Sequence, residues 1–408
     1  MSGPLVDLRV VEFGDELGQY AGKLLADMGA DVVKIEPPEG SSARRIGPFV
    51  NDEPGPNRSL NFWYHNTNKR SAVLDFEGET RDRERARALV ARADVLLESF
   101  APGYLTELGL GPAAFASENP RLIYCSLTPF GQDGPWAHYR TADMVALAAG
   151  GPMNMNGYDP EDVAGAPPIH GQGDQAYNTA SHFAVIGIGV ALLHRDATGE
   201  GQHIDASMHE ALSTTTEVAL PHWLYTRTNI IRQTGRHAAV QRTESWLHEA
   251  RDDKDVLVFN LGRSNASWAK LKAWMQSYGF GSDFDESRFD EPMARQGGRG
   301  GPEAQEIVAE VSRFVASLDA EEVYRGAQAC GLPWGVVRTP DEALNDAHLH
   351  DRGHFAATTG EGVSEAVLMP GAPYQLSATP WELRRPAPKL GEHTEEILRE
   401  LEATLPGS

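Results

Sequence analysis

The chain has little cysteine, little positive charge for its size and no long apolar run, and each shortage removes a class of protein. Cys125 and Cys330 are the only two cysteines in 408 residues, too few and too far apart for a disulfide framework or a four-cysteine zinc site. Such sparing use points to a reducing compartment, and the expected location is cytoplasmic. Lys and Arg number 36 against 58 Asp and Glu, a formal net charge of -22. Nucleic acid and anionic lipid would repel such a chain at long range. The longest apolar run, "FAVIGIGVALL" from Phe183 to Leu193, falls well short of the ~20 residues of a spanning helix. The opening "MSGPLVDLRVVEF" has none of the basic segment, apolar stretch and small-residue cleavage site of a signal peptide. We expect a soluble protein with neither nucleic acid nor membrane as partner.

Several catalytic signatures are missing too. No G-x-G-x-x-G follows the first predicted strand, which disfavours the usual dinucleotide cofactors, and no G-x-S-x-G elbow offers a serine nucleophile. "HLHDRGH" gathers His348, His350 and His354, but neither an H-E-x-x-H pair nor a cysteine pair supports zinc. The acidic "DFDESRFDEP" lacks the alternating ligands and turn glycine of a calcium loop. No metal is expected. Cys125 lies inside the apolar "RLIYCSL", where burial keeps a thiol protonated and inert. A phosphorylated ligand would need a local basic patch, and Lys34, Arg44, Arg45, Lys69 and Arg70 are the candidates.

What is present is a regular alternation. "DLRVVEF" reads as a strand, Ala21, Leu24, Leu25 and Met28 follow helical spacing up to Gly29, and "DVVKIE" reads as the next strand before "PPEGSS" breaks it. "SAVLDF", the charged helix around "TRDRERARALVARA", "DVLLESF" and "RLIYCSL" continue the pattern. Strands with apolar cores alternating with helices imply an α/β fold, a parallel sheet with helices on both faces. Between about Pro221 and Gly335 the composition shifts to Trp246, Trp268 and Trp274, the acidic stretch and the glycine-rich "QGGRGG". A smaller domain of 221–335 is expected there, flanked by 1–220 and 336–408.

One stretch carries most of the chemistry: "HGQGDQAYNTASHF", His170 to Phe183. Ala176, Ala180, Phe183, Ala184 and Ile188 follow helical spacing, and Asp174 stands where an N-cap residue belongs. The same position suits a nucleophile, since a helix N-terminus orients a carboxylate and Gly171 and Gly173 leave room for a bulky ligand. A carboxylate needs no base to activate it at neutral pH. The two readings are compatible. Asp143 in "YRTADMVAL" opens another helix and reads as its cap.

In order and spacing, "LLADMGADVVKIEPPEG", "NTNKRSAVLDF", "LLESFAPGYLTELGLG", "NPRLIYCSLTPFGQDGP", "GDQAYNTASHFAVIGIGVALLHRDATGEGQHIDASM" and "LGEHTEEIL" resemble the class III coenzyme A transferases, relatives of the α-methylacyl-CoA racemases. The resemblance spans nearly the whole chain. It implies a Rossmann-like large domain built from both chain ends, a smaller inserted α+β domain shaping the acyl pocket, and an interlocked homodimer. It makes Asp174 the nucleophile of a reaction between an acyl-CoA and a carboxylic acid, through an aspartyl-CoA thioester. No resident cofactor is implied, because coenzyme A enters as the substrate thioester. Its contacts would come from Lys69, Arg70 and Ser71, from Ser99, Phe100, Ala101, Pro102 and Gly103, and from Thr128, Phe130 and Gly131, with the basic residues facing the phosphates.

The chain departs from many members at "LGQYAG", where Gly18 is expected to keep a tight turn, and at Pro37, where an Arg is common and Arg44 or Arg45 would substitute. Racemases of the group carry a histidine where this chain has Ala142, which favours transfer over α-proton exchange, although His170 and His182 remain candidates for a second base. A CoA-binding protein without catalysis is the third reading. Trp223, Tyr225 and Trp246 suggest an acyl group larger than formate or oxalate.

Overall fold

Branched and apolar residues dominate the predicted strands, and in the computed structural model, which describes residues 3–216, 219–261, 264–290 and 302–403, they form one sheet. Its strands are β1 (Arg9–Phe13), β2 (Asp31–Glu36), β3 (Arg70–Val73), β4 (Val95–Glu98), β5 (Ile123–Thr128) and β6 (Gln202–Ser207). All pairs are parallel, in the order β3-β2-β1-β4-β5-β6. Helices in this part of the chain are α1 (Gln19–Asp27), α2 (Leu60–His65), α3 (Thr80–Val90), α4 (Tyr104–Glu107), α5 (Pro112–Phe115), α6 (Asp143–Ala149), α7 (Gln175–Thr198) and α8 (Met208–Thr214).

The central strands are buried on both faces, as a parallel sheet requires. On one face Phe13, Ile35, Leu96 and Tyr124 pack with Leu89 and Val90 of α3 and with Ile397 and Leu401 of the helix Thr394–Ala403. On the other lie α1 and α7. From β1 the chain winds outward to β3, then returns to lay β4 on the opposite side of β1. The order therefore reverses between β1 and β4, and the loops leaving their carboxyl ends diverge to open a crevice, the usual ligand position in such sheets.

Helix α7 turns small residues inward, Ala176, Ala180, Ser181, Ala184, Ile188 and Ala191, so it lies close against α1, β5 and β6. Phe183, counted with that inward face from its spacing, is instead 42% exposed and shares an outer stripe with Ile186, Val190 and Leu193. By length and composition α7 is also the one helix among the described residues apolar enough to cross a membrane. Measuring only Phe183–Leu193 missed this, because the small residues before that run extend the helix to 24 residues.

A charged cluster sits inside the sheet. Glu12, Lys34 and Lys69 are at most 1% exposed, with Lys34 Nζ 2.7 Å and Lys69 Nζ 2.8 Å from the two Glu12 oxygens. Burial alone would raise the Glu12 carboxyl, but the two ammonium groups outweigh it and hold it below its usual range. Removing one partner would leave an uncompensated buried charge, which typically costs about 3–5 kcal/mol.

The chain divides into two compact units, one of Met1–Gly150, Gly171–Thr215 and Ala347–Ser408, the other of Gly151–His170 and Thr216–Asp346. These limits differ from the 221–335 expected from composition because the loop-like segment before His170 pairs within the second unit. Gly157 bridges Pro168, and Arg232 donates to the carbonyls of Tyr158 and Ala166 at 3.0 Å. The second unit has its own antiparallel sheet, Leu247–Glu249, Asp255–Leu257 and Gly335–Val336. Trp268, Met275, Val311, Phe314 and Trp334 form its core.

Gly22 of α1 lies directly over the buried charges: a Cβ there would collide with Glu12 Oε2 and stand 2.9 Å from Lys69 Nζ. We expect Gly22→Ala to lower unfolding free energy by about 1–3 kcal/mol, read from urea denaturation at neutral pH. An unchanged midpoint would show that the cluster can yield.

Candidate active site

The loops leaving β1, β4 and β5 meet at the carboxyl edge of the sheet. Ser99, after β4, donates from Oγ to Asp15 Oδ1 at 2.9 Å. Gly14 and Gly18 make room for it, since a Cβ on Gly14 would overlap Ser99 Oγ and one on Gly18 would sit 3.0 Å away. Gly18 has φ -92°, so it serves close approach rather than the tight turn expected of it. Phe100 packs between Phe76 and Tyr104, Ala101 is exposed, Pro102 is half-buried, and Gly103 opens α4 at φ 83°. After β5, Thr128 is fully buried, and its Oγ1 has no hydrogen-bond partner among the described residues. Phe130 meets the rings of Trp136 and His209 at 5.8 and 5.5 Å, and buried Gly131 has φ 91°. Ser99–Gly103 and Thr128–Gly131 thus share one edge.

The basic candidates do not join them. Lys69 is 0% exposed and directs its ammonium to Glu12 Oε2 (2.8 Å), the Gln19 carbonyl (2.8 Å) and Asn66 Oδ1 (2.9 Å). One ion pair and two hydrogen bonds hold the ammonium inside the protein, which corrects the expectation that it faces phosphate. Arg70 reaches back to Asp31 at the start of β2 and to Glu396 and Glu400. Ser71 is buried, donating to Glu36 Oε1 at 2.6 Å. Lys34 is held by Glu12 and the Gly14 carbonyl. Arg44 forks onto both Glu36 oxygens at 2.6 and 2.8 Å. Of the two proposed substitutes at Pro37, Arg45 alone is exposed.

Asp174 precedes α7 in the left-handed region, φ 54° and ψ 44°, and makes no side-chain capping bond. Gly173 before it has φ 89°, so two successive left-handed residues turn the chain into the helix. Among the described residues, the hydrogen bond to the Asp174 carboxylate comes from Asn61 Nδ2, 3.2 Å from Oδ2. Asn61 is itself oriented: Gln19 Nε2 donates to Asn61 Oδ1 (3.1 Å), Asn66 Nδ2 donates to Gln19 Oε1 (3.1 Å), and Lys69 donates to Asn66 Oδ1. An ammonium can only donate, so it fixes the sense of each amide and turns the last NH₂ toward Asp174. The capping expected of Asp174 is made by Asp143, whose Oδ1 accepts from the Ala176 and Tyr177 amides at 2.7 and 3.4 Å. Asp143, expected to cap its own helix, is instead the residue after the α6 N-cap, Ala142.

Sequence reasoning also missed His65. It is buried beside Tyr20 and Tyr64, with Nδ1 2.9 Å from the Asn61 carbonyl. Burial pulls its imidazole down to about 4, against the Asn61 bond and the nearby Asp174 charge. No spacing signal marked Asn61 or His65, because α2 and α7 meet only through the fold. Cys125 is fully buried, and burial pushes its thiol up, as its strand position predicted. His182 is exposed and edges onto Tyr20 at 5.4 Å. In the second unit Trp223 and Tyr225 are exposed on the helix Ala219–Thr226, and Trp246 packs on Phe259. "QGGRGG" lies outside the described residues.

The sequence model of CoA-transferase family III matches residues 5–394. The subunit BbsE of succinyl-CoA:(R)-benzylsuccinate CoA-transferase from Thauera aromatica is 33% identical over 96% of this chain and 93% of its own. A succinate–glutarate CoA-transferase from Agrobacterium fabrum is 31% identical over 98% and 96%. The crystal structure of a CAIB/BAIF family protein from Brucella suis superposes with a TM-score of 0.80 at 28% identity, covering 98% of this chain and 100% of that one.

Glu98, 5% exposed at the end of β4, generates a pH dependence. Burial first, then Asp15 and Asp205, push its carboxyl from 4.5 to about 7, against the donors Ser126 and the Phe100 amide. A carboxyl raised on folding binds its proton more tightly in the folded state. Its contribution is therefore present in full below the unfolded value and lost as pH rises through about 7. Glu98→Gln should match wild type near pH ~4 and exceed it by roughly 3 kcal/mol near pH ~8. Parallel stability–pH curves for the two proteins would refute the assignment.

Proposed function

The chain belongs to CoA-transferase family III, and from that premise we propose that it carries coenzyme A from an acyl-CoA donor to a carboxylic acid acceptor through an aspartyl-CoA thioester on Asp174. The observation that carries the reading is a half-buried carboxylate at a helix N-terminus, held by Asn61 on one oxygen and making no capping bond of its own.

In this reading an Asp174 oxygen adds to the thioester carbonyl, and the C–S bond breaks to give a mixed anhydride and CoA thiolate. The thiolate attacks the Asp174 side-chain carbonyl, releasing the donor as a carboxylate and leaving the aspartyl-CoA thioester. An acceptor carboxylate adds to that thioester and expels thiolate. The thiolate then takes the acceptor's acyl carbon and restores Asp174. One carboxylate enters and one leaves, so no external base, oxidant or metal is needed. Coenzyme A is substrate rather than resident cofactor, running past Ser99–Gly103 and Thr128–Gly131. Lys69 supports the site from beneath through Asn66, Gln19 and Asn61, while Arg70 and Ser71 hold Asp31 and Glu36 of β2. A Glu98 carboxyl pushed up to about 7 carries less negative charge near neutral pH into a crevice that a polyanion must enter.

Racemisation would need an acid and a base on opposite faces of the substrate. Ala142 offers neither, and His65, with a pKa of about 4, is a weak base. We read the assembly as an interlocked homodimer. Its support is the outer stripe of α7, where Ile186, Val190 and Leu193 are 60%, 61% and 72% exposed, a surface that a second copy would remove from water.

The names of the relatives make succinyl-CoA with benzylsuccinate or glutarate the first substrate pairs to try. Trapping with hydroxylamine or borohydride, followed by peptide mass spectrometry, should find the label on Asp174. Asp174→Ala should lower kcat at least about a thousandfold. Turnover surviving in that variant with no adduct in wild type would sink the mechanism, and solvent deuterium entering the substrate α-position would favour racemisation instead.

A further inference from the structure

The N-cap of a helix usually has extended backbone and folds its own side chain onto the amides two and three residues on. For α7 those amides belong to Ala176 and Tyr177, and an aspartate does accept from them, but it is Asp143 of the neighbouring helix. The contact runs both ways, since the Tyr177 phenol oxygen accepts from the Asp143 backbone. Asp174 meanwhile takes the left-handed conformation, which aspartate tolerates but does not prefer.

We propose that Asp143 is a positioning residue that occupies the free amides of α7 and so keeps the Asp174 carboxylate from folding back to cap its own helix. Charge-assisted bonds from two amides to one carboxylate oxygen are strong enough to hold a backbone conformation that costs little for aspartate. With the amides taken, the Asp174 carboxylate turns toward Asn61 and keeps its second oxygen for a substrate. This deepens the transferase reading and rests on it for its catalytic consequence, whereas the conformational consequence stands alone.

The test uses Asp143→Ala and Asp143→Asn in the full chain. In Asp143→Ala, a crystal structure should show Asp174 at negative φ with its carboxylate on the Ala176 and Tyr177 amides. With succinyl-CoA, kcat and the rate of Asp174 labelling should fall about a hundredfold while KM stays within about twofold. Asp143→Asn keeps an acceptor oxygen and should restore the left-handed Asp174 and most of the rate, to within about tenfold. An Asp174 that stays left-handed against Asn61 in Asp143→Ala overturns the inference whatever the activity. So does wild-type labelling in that variant. Absence of labelling in wild type would instead fail the transferase reading, leaving the conformational result to decide this one.

Discussion

The attraction between Glu12 and the two ammonium groups of Lys34 and Lys69 is the constraint on which the rest of the large unit hangs. Its members come from β1, β2 and the segment entering β3, with Glu12 opposite Lys34 in register. Burying these charges is unfavourable for each alone, so the arrangement holds only if all three arrive together. That requirement fixes how α1 lies over the sheet, since Gly22 must be bare for the helix to approach. It also fixes the start of the amide chain that runs through Asn66, Gln19 and Asn61 to Asp174.

The same cluster shows where part of the positive charge of a chain of net charge -22 is held. Lys34, Arg44, Lys69 and Arg70, near the sheet, are committed to internal carboxylates. At the crevice, burial and neighbouring charge raise the carboxyls of both Asp15 and Glu98.

At the helix end, two aspartates divide work that one could do. Asp143 accepts from the Ala176 and Tyr177 amides of α7, and Asp174 takes its side-chain hydrogen bond among the described residues from Asn61. A helix N-terminus favours negative charge at either position, so the exchange keeps both carboxylates close to favourable dipoles.

Sequence by itself determined the alternation of strands and helices, the parallel sheet, the burial of Cys125 and the place of Asp174 at a helix start, because each depends on local periodicity, on hydropathy or on a helix start within a few residues. Ser99–Gly103 was marked only by the family resemblance, whereas Thr128–Gly131 also opens a glycine-rich turn that directly follows an apolar strand. Only the tertiary structure decided what the charged residues do. "NTNKRS" looks like a solvated basic patch until parallel pairing of β1, β2 and β3 sets Glu12, Lys34 and Ser71 side by side. Asp143 looks like the cap of its own helix until α6 packs on α7. Local pattern fixes backbone conformation through short-range sterics and burial, whereas the partner of a charge or a free amide depends on residues brought near from tens or hundreds of positions away, and no spacing in the sequence encodes that.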